Sequence, residues 1–267
     1  MKKLYSFLIF CILSEVAMGQ ISPPGMDDTN VVAWGAIGIN QQIGKKWAVT
    51  VYGGAARESN PNNTNLLQKQ AIVVFNQETQ YQFNSHWLLS FCSSFRIQDR
   101  YKEDAPSELQ NPPLRDEARL YLRLYYKHSL RKIGMTYSFR PEYRAFYDTH
   151  WNHWDGTPFE LRFRLKAQAN IPLNASKTNQ FILANEFLSA TDDQRNANHE
   201  LHWSAYRFTE DRFTTYLRHV FTKQSIIADI GMMHQIKYDK GKSDYIAQFA
   251  FDILFQNPFW KPKNGGH

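Results

Sequence analysis

The sequence predicts an all-β fold: an antiparallel transmembrane β-barrel of about 12 strands, with about ten strands as the alternative. In the middle of the chain, charged and apolar residues alternate in segments 119–127, 139–147 and 160–167. Such alternation is typical of β-strands with one polar and one apolar face. The predicted strands are also long, the connections between them alternate between short and long, and an export signal precedes them.

The N-terminus has the pattern of a signal peptide. Two lysines precede an apolar run over residues 4–13, and the small residues Ala17 and Gly19 follow. This pattern predicts a signal peptide over 1–19, cleaved after Gly19, because the run is shorter than the ~20 residues of a membrane-spanning helix. Residues 20–267 contain no linker rich in Pro, Gly or Ser, which predicts a single barrel domain. Cleavage would leave Cys92 as the one cysteine, so no internal disulfide is expected.

Eleven segments have the composition and alternation of strands: 31–40, 47–56, 70–83, 87–100, 117–129, 134–147, 159–171, 180–189, 212–222, 225–238 and 244–255. They are longer than the ~5–6 residues of a typical soluble strand and suit the ~9–11 residues of a tilted membrane strand. Bacterial barrels normally have an even number of strands, so either a further strand is expected, within 201–208, or one of the eleven segments is not a strand.

The predicted connections alternate in length. Short ones are expected at 41–46, 84–86, 130–133 and 223–224, and long ones at 57–67, 101–115, 148–157 and 191–210. Short turns at one rim and long polar loops at the other are typical of outer-membrane barrels.

The two faces stay distinct outside the central strands. In the last strand, Tyr245, Phe249 and Phe251 share one face, while Gln248 and Asp252 lie on the other. This strand resembles the C-terminal signal that the barrel-insertion machinery recognises, although residues 256–267 extend beyond its final aromatic residue.

The composition suits a barrel with an apolar outside and a polar lumen. Aromatic residues make up 15% of the chain, yet the mean hydropathy is −0.53. A carbohydrate-binding β-sandwich has a similar composition. The formal net charge of +6 favours contact with lipopolysaccharide or anionic sugars, and together with the export signal it gives no support to nucleic-acid binding.

Three segments carry a resemblance to a known family. They are Asp-Glu-Ala-Arg-Leu-Tyr at 116–121, Phe-Arg-Pro-Glu-Tyr-Arg at 139–144 and Glu-Leu-Arg-Phe-Arg at 160–164. With the export signal and the final aromatic strand, they resemble a family of small outer-membrane barrels of Gram-negative bacteria, known as a domain of unknown function. The resemblance covers most of the chain after the signal peptide. It implies a barrel in the outer membrane and implies no activity.

The charged face of the central strands is the main candidate for a functional site. If the alternation holds, one set of Arg and Glu side chains points into the lumen: Arg119, Arg123, Arg140, Arg144, Arg162, Arg164, Glu117, Glu142 and Glu160. One interpretation is an ion-pair network that fills a narrow lumen, since arginine pairs well with carboxylates away from bulk water. The other is an anion-selective pore, since rings of Arg and Lys favour anions.

The loop after residue 147 is a second candidate. It contains His150, Trp151, His153 and Trp154, which could form an aromatic rim at the membrane surface, contact a sugar, or ligate a metal together with acidic residues. The spacing matches no established metal signature, so no metal and no cofactor are predicted. Catalytic motifs such as Gly-x-Ser-x-Gly and His-Glu-x-x-His are missing from the sequence, and the adjacent Ser85 and His86 would point apart on a strand.

These observations predict an exported outer-membrane barrel of a Gram-negative bacterium. The expected function is passive: a narrow, porin-like channel or a structural barrel with an arginine-rich lumen that passes small anionic solutes or acidic sugars. The expected partners are outer-membrane lipid, lipopolysaccharide and the barrel-insertion machinery. Two alternatives remain open: an outer-membrane enzyme that modifies lipid, and a soluble periplasmic sugar-binding β-sandwich.

Overall fold

A computed structural model describes residues 23, 25–26, 29–60, 63–66, 68–102, 107–154, 156–195, 200–239 and 242–259. The predicted signal peptide, 1–19, lies outside these residues and stays a prediction. Within the described residues the chain forms twelve strands: β1 (Val31–Gln42), β2 (Trp47–Glu58), β3 (Lys69–Gln82), β4 (Trp87–Tyr101), β5 (Leu109–Leu130), β6 (Ile133–Tyr147), β7 (Phe159–Pro172), β8 (Asn179–Arg195), β9 (Leu201–Trp203), β10 (Arg207–Phe221), β11 (Ile226–Asp239) and β12 (Lys242–Gln256).

Eleven of the described strands close into a barrel. Each strand from β1 to β8 pairs with the next, β8 pairs with β10, and β12 returns to β1. The short β9 lies outside the ring and pairs with the end of β8, from Asp193 to Arg195. The predicted all-β barrel of about 12 strands is therefore confirmed, and the extra strand lies within the segment where it was expected.

The sheet is mixed rather than wholly antiparallel, which corrects the prediction. A ring with an odd number of strands must contain one parallel pair if all other neighbours are antiparallel. That pair is β1 and β12, in register from Val31↔Ala247 to Asn40↔Gln256. Both strands start at the rim that carries the long loops, hereafter the loop rim, and end at the rim of the short turns, the turn rim. The chain therefore begins β1 at one rim and finishes β12 at the other.

The predicted long loop at 101–115 is shorter than expected, because β5 already starts at Leu109. Tyr101 pairs with Leu109 and Asp99 with Leu114, so residues 110–113 bulge opposite Arg100. Pro112 and Pro113 lie in this bulge, where a missing backbone N–H breaks no regular ladder. The two prolines, which suggested a loop in the sequence, therefore lie in a bulge of the hairpin that β4 and β5 form.

Alternation along each strand separates the two faces of the barrel. Outward positions hold exposed apolar side chains such as Ile37, Phe91, Leu122, Phe163 and Phe249. Inward positions hold the buried polar and charged ones. Part of the interior is an apolar cluster, mainly from β1–β3 and β10–β12, that includes Val32, Trp34, Ile72, Tyr216, Ile246 and Leu254. Most of the buried charged residues lie on the opposite wall, from β4 to β8, whereas Glu58, Lys69, Arg218, Asp229 and Asp252 lie on the strands that hold the apolar cluster.

Candidate functional site

The charged wall is organised around the carboxylate of Glu117. Arg144 donates to it through Nε at 2.7 Å and Nη2 at 2.8 Å, and Arg119 donates through Nε at 2.7 Å. Arg96 places Nη1 3.7 Å from the second oxygen. The strand register explains this, because Arg96 lies directly opposite Glu117 on β4, and Arg119 lies opposite Arg144 on β6. The like-charged Arg119 and Arg144 are held together by the carboxylate that they share.

A second carboxylate, Glu142, extends the network along the wall. Its side chain is completely buried, and it contacts Arg140 at 2.7 Å, Arg164 at 3.0 Å and Arg119 at 3.4 Å. Charge-assisted bonds from guanidinium groups are the contacts that suit a carboxylate cut off from water. Glu142 thus links β5, β6 and β7.

The network continues to β10. Glu160 bonds Arg144 at 2.5 Å and Arg162 at 2.8 Å, and Arg162 reaches Glu210 at 3.3 Å. Arg212 pairs with Glu210 and lies 3.6 Å from Glu186, which also contacts Arg164 at 3.5 Å. Ion pairs therefore connect six consecutive strands of the ring, β4 to β8 and β10.

Eight of the nine charged residues predicted to line the lumen belong to this network. Arg123 does not: it lies closer to the turn rim, 3.5 Å from Glu78 and 2.6 Å from the Tyr125 hydroxyl. The prediction missed Arg96, Glu186, Glu210 and Arg212 as network members, and it missed Glu78 as the partner of Arg123. Alternation places each of them on an inward face, but only the ring closure and the register show which strands adjoin them.

Three described residues before β1, Pro23, Gly25 and Met26, lie in the lumen, which no sequence pattern indicated; they are called here the crossing segment. Met26 donates its N–H to Gln235 Oε1 at 3.0 Å and accepts from Gln235 Nε2 at 3.1 Å. Arg96 donates to the Gly25 carbonyl at 3.0 Å. A Cβ on Gly25 would lie 2.1 Å from Arg212 Nη2, so glycine is the residue that lets the backbone pass this buried guanidinium. The segment therefore fills the space between β4 and β11.

A cavity of about 100 Å³ remains on the turn-rim side of the network. Arg123, Lys127, Arg140 and Lys166 line it together with Tyr121, Tyr125, Thr136 and Ser138, and Pro23 of the crossing segment reaches it. A single buried water requires only ~10–15 Å³, so the cavity has room for several waters or a small molecule.

The loop residues His150, Trp151, His153 and Trp154 do not converge on one site. Trp151 stacks on the outward-facing Phe95 with ring centroids 5.6 Å apart. His153 packs 5.0 Å from Tyr147 and 4.8 Å from Phe159, and Trp154 lies under the Arg100 guanidinium at 4.4 Å. The side chains of Trp151 and His153 therefore pack on outward-facing rings near the loop rim. Within the described residues, no group of three or more His, Cys, Asp or Glu is arranged to hold a metal ion.

Asp148 fixes the start of this loop. It accepts the backbone N–H groups of His150 at 2.8 Å and Asn152 at 2.9 Å, and the Asn152 side chain at 3.2 Å. Slight desolvation acts to raise the pKa of the Asp148 carboxyl, but the hydrogen bonds from Asn152 and His150 outweigh it and lower the pKa. The carboxylate therefore remains ionised and orders the turn.

Ser85 and His86 lie in the short turn between β3 and β4. The His86 imidazole places Nδ1 2.9 Å from the Lys127 carbonyl oxygen, and its backbone N–H donates to Asn84. Both contacts join the turn to neighbouring backbone and side chains, so this histidine has a structural role in the turn.

Cys92 is completely buried on the inward face of β4, with Sγ 3.7 Å from Ser90 Oγ. We expect no reaction with maleimide in the folded barrel and complete reaction in denaturant, because a thiol must reach solvent as a thiolate to react. Mass spectrometry after a timed incubation measures this. A Ser85→Cys variant, at an exposed turn position, should react at once and serves as the control. Rapid labelling of native Cys92 would mean that the lumen at β4 is open.

A comparison with protein families finds one match over most of the barrel. The family is described as "Protein of unknown function (DUF2490)", and the match covers residues 32–246. The chain belongs to the DUF2490 family. The predicted membership in a barrel family of unknown function is thereby confirmed, and the match runs from β1 into β12, through all of the strands that form the network. Curated proteins yield no match to this DUF2490 chain.

The described part of this DUF2490 protein contains no helix long and apolar enough to cross a membrane.

Proposed function

We propose that this DUF2490 protein is an outer-membrane β-barrel whose lumen is closed by its ion-pair network and by the segment before β1. The proposal rests on how side chains are divided between the two faces of the barrel, with apolar groups outside and charged groups inside. Large apolar side chains are exposed around the closed ring, whereas the guanidinium and carboxylate groups are buried inside it. A barrel in lipid requires this arrangement, because its outer surface contacts acyl chains.

The outer aromatic residues support a membrane position. Near the turn rim, Trp47 packs 4.7 Å from Tyr81, and Trp87 packs 4.9 Å from Tyr126. Towards the loop rim, similar pairs form between Tyr143 and Phe159, Phe163 and Tyr206, and Phe208 and Tyr238. Aromatic girdles at both interfaces are typical of outer-membrane barrels.

The predicted signal peptide and outward aromatic residues of β12 fit delivery to the outer membrane by export and the barrel-insertion machinery. In this orientation the short turns face the periplasm and the long loops face outward, towards lipopolysaccharide.

A passive barrel fits the interior better than an open pore does. Buried Arg–Glu pairs are retained only where each charge has partners, and Glu117, Glu142 and Glu210 each contact at least two arginines. The paired groups and the crossing segment together occupy the loop-rim half of the lumen. A narrow anion channel is the second candidate, favoured by the cationic wall of the cavity.

Planar-bilayer recording separates the two candidates. The purified barrel, shown to insert by flotation with liposomes, is expected to give no stepwise conductance, because the network and the crossing segment block the lumen. Stepwise currents with a preference for chloride over potassium would contradict the closed lumen. If such currents appeared, Arg123→Ala and Arg162→Ala should weaken the preference, and Lys102→Ala, at an exposed loop pair with Glu108, should leave it unchanged.

A further inference from the structure

We propose that the cavity on the turn-rim side of the network is a binding site for a small polyhydroxylated molecule that bears a carboxylate or a phosphate group. The site is called here the lumenal pocket, and it is lined by residues of β1–β8. The inference rests on the proposed function in one respect. If the ion-pair network closes the lumen, it forms the floor of the pocket, and a ligand would be held there instead of passing through.

The pocket has an excess of positive charge. Seven cationic side chains line it: Arg96, Arg119, Arg123, Lys127, Arg140, Arg164 and Lys166. Two carboxylates line it, Glu78 and Glu186. Glu117 and Glu142 lie behind the wall and contact some of these arginines. Seven cations against four carboxylates still leave three positive charges in excess, which favours an anionic occupant over a neutral or cationic one.

The key cationic groups are held in place before any ligand binds. Arg140 is fixed by Glu142 at 2.7 Å, and its guanidinium lies over the Tyr121 ring at 3.4 Å. Arg123 is fixed by Glu78 and by the Tyr125 hydroxyl. A planar guanidinium with a fixed orientation suits the two oxygens of a carboxylate or phosphate. Little side-chain entropy would be lost on binding, because these groups are already ordered.

The remaining wall suits the hydroxyl groups of a sugar. Thr50, Thr136 and Ser138 present hydroxyls, and Gln80 and Gln168 present amides. The rings of Tyr52, Tyr121 and Tyr125 add flat apolar surfaces of the kind on which sugar rings pack. Cations, hydroxyls, amides and aromatic rings together match a sugar acid or a sugar phosphate better than a simple halide ion.

The geometry also indicates the side from which a ligand arrives. Towards the loop rim, the pocket ends at Arg96, which is buried and hydrogen-bonded to the Gly25 carbonyl. Towards the turn rim, the wall continues through Lys127 and Thr136, which are half-buried. A ligand therefore reaches the pocket from the turn rim, which faces the periplasm in the proposed orientation.

Calorimetric titration of the folded barrel in detergent micelles tests the pocket. The probes are glucuronate, inorganic phosphate and glucose. Glucuronate or phosphate should bind at one site per barrel, and glucose should bind at least about tenfold more weakly, because it offers no charge-assisted hydrogen bonds. Tighter binding of glucuronate would assign the ligand to the sugar acids, and tighter binding of phosphate to the phosphate-bearing compounds.

Two variants are expected to change the affinity for the anion in opposite directions. Arg123→Gln removes a cation and should weaken anion binding about tenfold or more. Glu78→Gln removes a wall carboxylate and should strengthen anion binding, because the Tyr125 hydroxyl still holds Arg123 in place. A purely structural effect would weaken binding in both variants, and Glu78→Gln also guards against a failure of Arg123→Gln to fold. Arg218→Gln is the matched control, because this lumenal arginine pairs with Asp229 at 2.7 Å and does not line the pocket.

The pocket would be refuted if folded barrel bound neither anion, if glucose bound as tightly, or if both variants shifted affinity in the same direction. The result of this titration can be told apart from that of the conductance test. A barrel that conducts ions but binds no anion contradicts both proposals, while a barrel that does not conduct and does not bind contradicts only the pocket.

Discussion

Replacing Glu117 by glutamine is expected to destabilise the folded barrel by about 3–5 kcal/mol, the usual cost of removing one partner from a buried ion pair. The carboxylate accepts three hydrogen bonds from Arg119 and Arg144 and lies 3.7 Å from Arg96. Glutamine keeps the shape of the side chain but removes its charge. Three guanidinium groups would then remain in the interior without their shared counter-charge. Urea unfolding of the refolded barrel, followed by tryptophan fluorescence, measures the loss.

The matched control is Glu108→Gln. Glu108 pairs with Lys102 at 3.2 Å, but the two side chains are 64% and 57% exposed. Exposed pairs contribute only about 0–1 kcal/mol, so this variant should unfold close to the wild type. A loss of the same small size for both variants would mean that water reaches Glu117 and that the lumen is hydrated rather than closed.

A double variant separates the network from a general packing defect. Arg96→Gln together with Glu117→Gln removes a cation and a carboxylate that face each other across β4 and β5. Glu117→Gln alone leaves an excess of positive charge in the interior, and removing Arg96 as well makes this excess smaller. The double variant should therefore lose less unfolding free energy than the sum of the losses in the two single variants. Simple additivity would show that the two groups are not coupled.

The alternation of side chains was sufficient to predict much of this architecture. Segments such as 119–127 alternate strictly, and period two assigns each residue to a face without knowledge of its neighbours. For this reason Glu117, Arg144 and Arg162 could be placed on one inward wall from the sequence. The outward Phe249 and Phe251 of the last strand follow from the same rule.

The partners of each charge could not be predicted, because they depend on register between strands that are distant in sequence. Arg162 meets Glu210, which lies 48 residues further along the chain, only because β8 pairs with β10 and leaves β9 outside the ring. A shift by one residue would turn either side chain outward. Arg123 has the same alternation as Arg119, yet its depth along β5 places it beside Glu78 instead of in the network.

The segment before β1 illustrates a further limit. Pro23, Gly25 and Met26 show no periodicity, so the sequence assigns them to no strand and to no face of the barrel. Their position inside the barrel depends on contacts with Gln235 on β11 and Arg96 on β4, which are 209 and 71 residues away. The parallel pairing of β1 with β12 is equally non-local, since it follows from the total number of strands in the ring.

Placing an arginine on the outer face at Leu122 is expected to cost about 2–4 kcal/mol in a lipid bilayer, the range for a cation near the midplane on the lipid face of a barrel. Leu122 is 47% exposed and lies beside the outward Phe91. Tyr126 of the turn-rim girdle is four residues away in one direction, and Asp116 is six residues away in the other. Leu122 therefore lies near the centre of the apolar band if the barrel spans a membrane.

The control variant places an arginine at a second outward-facing leucine of β5, at the rim of the barrel. Leu130 ends β5 at the turn rim and is 60% exposed. It lies eight residues from Leu122, about 27 Å along the strand at ~3.4 Å per residue. Leu130→Arg should cost no more than about 0–1 kcal/mol, because an arginine at the interface remains hydrated.

Urea unfolding in liposomes and in buffer without detergent distinguishes a membrane barrel from a soluble one. In a membrane, Leu122→Arg should lower the free energy of unfolding more than Leu130→Arg does, because Leu122 lies deeper in the bilayer. In water, both substitutions replace an exposed leucine by a well-hydrated side chain, so both should be nearly neutral and should raise solubility. A soluble wild type together with two neutral variants would overturn the outer-membrane proposal, because the exposed apolar band would then have no lipid to cover it.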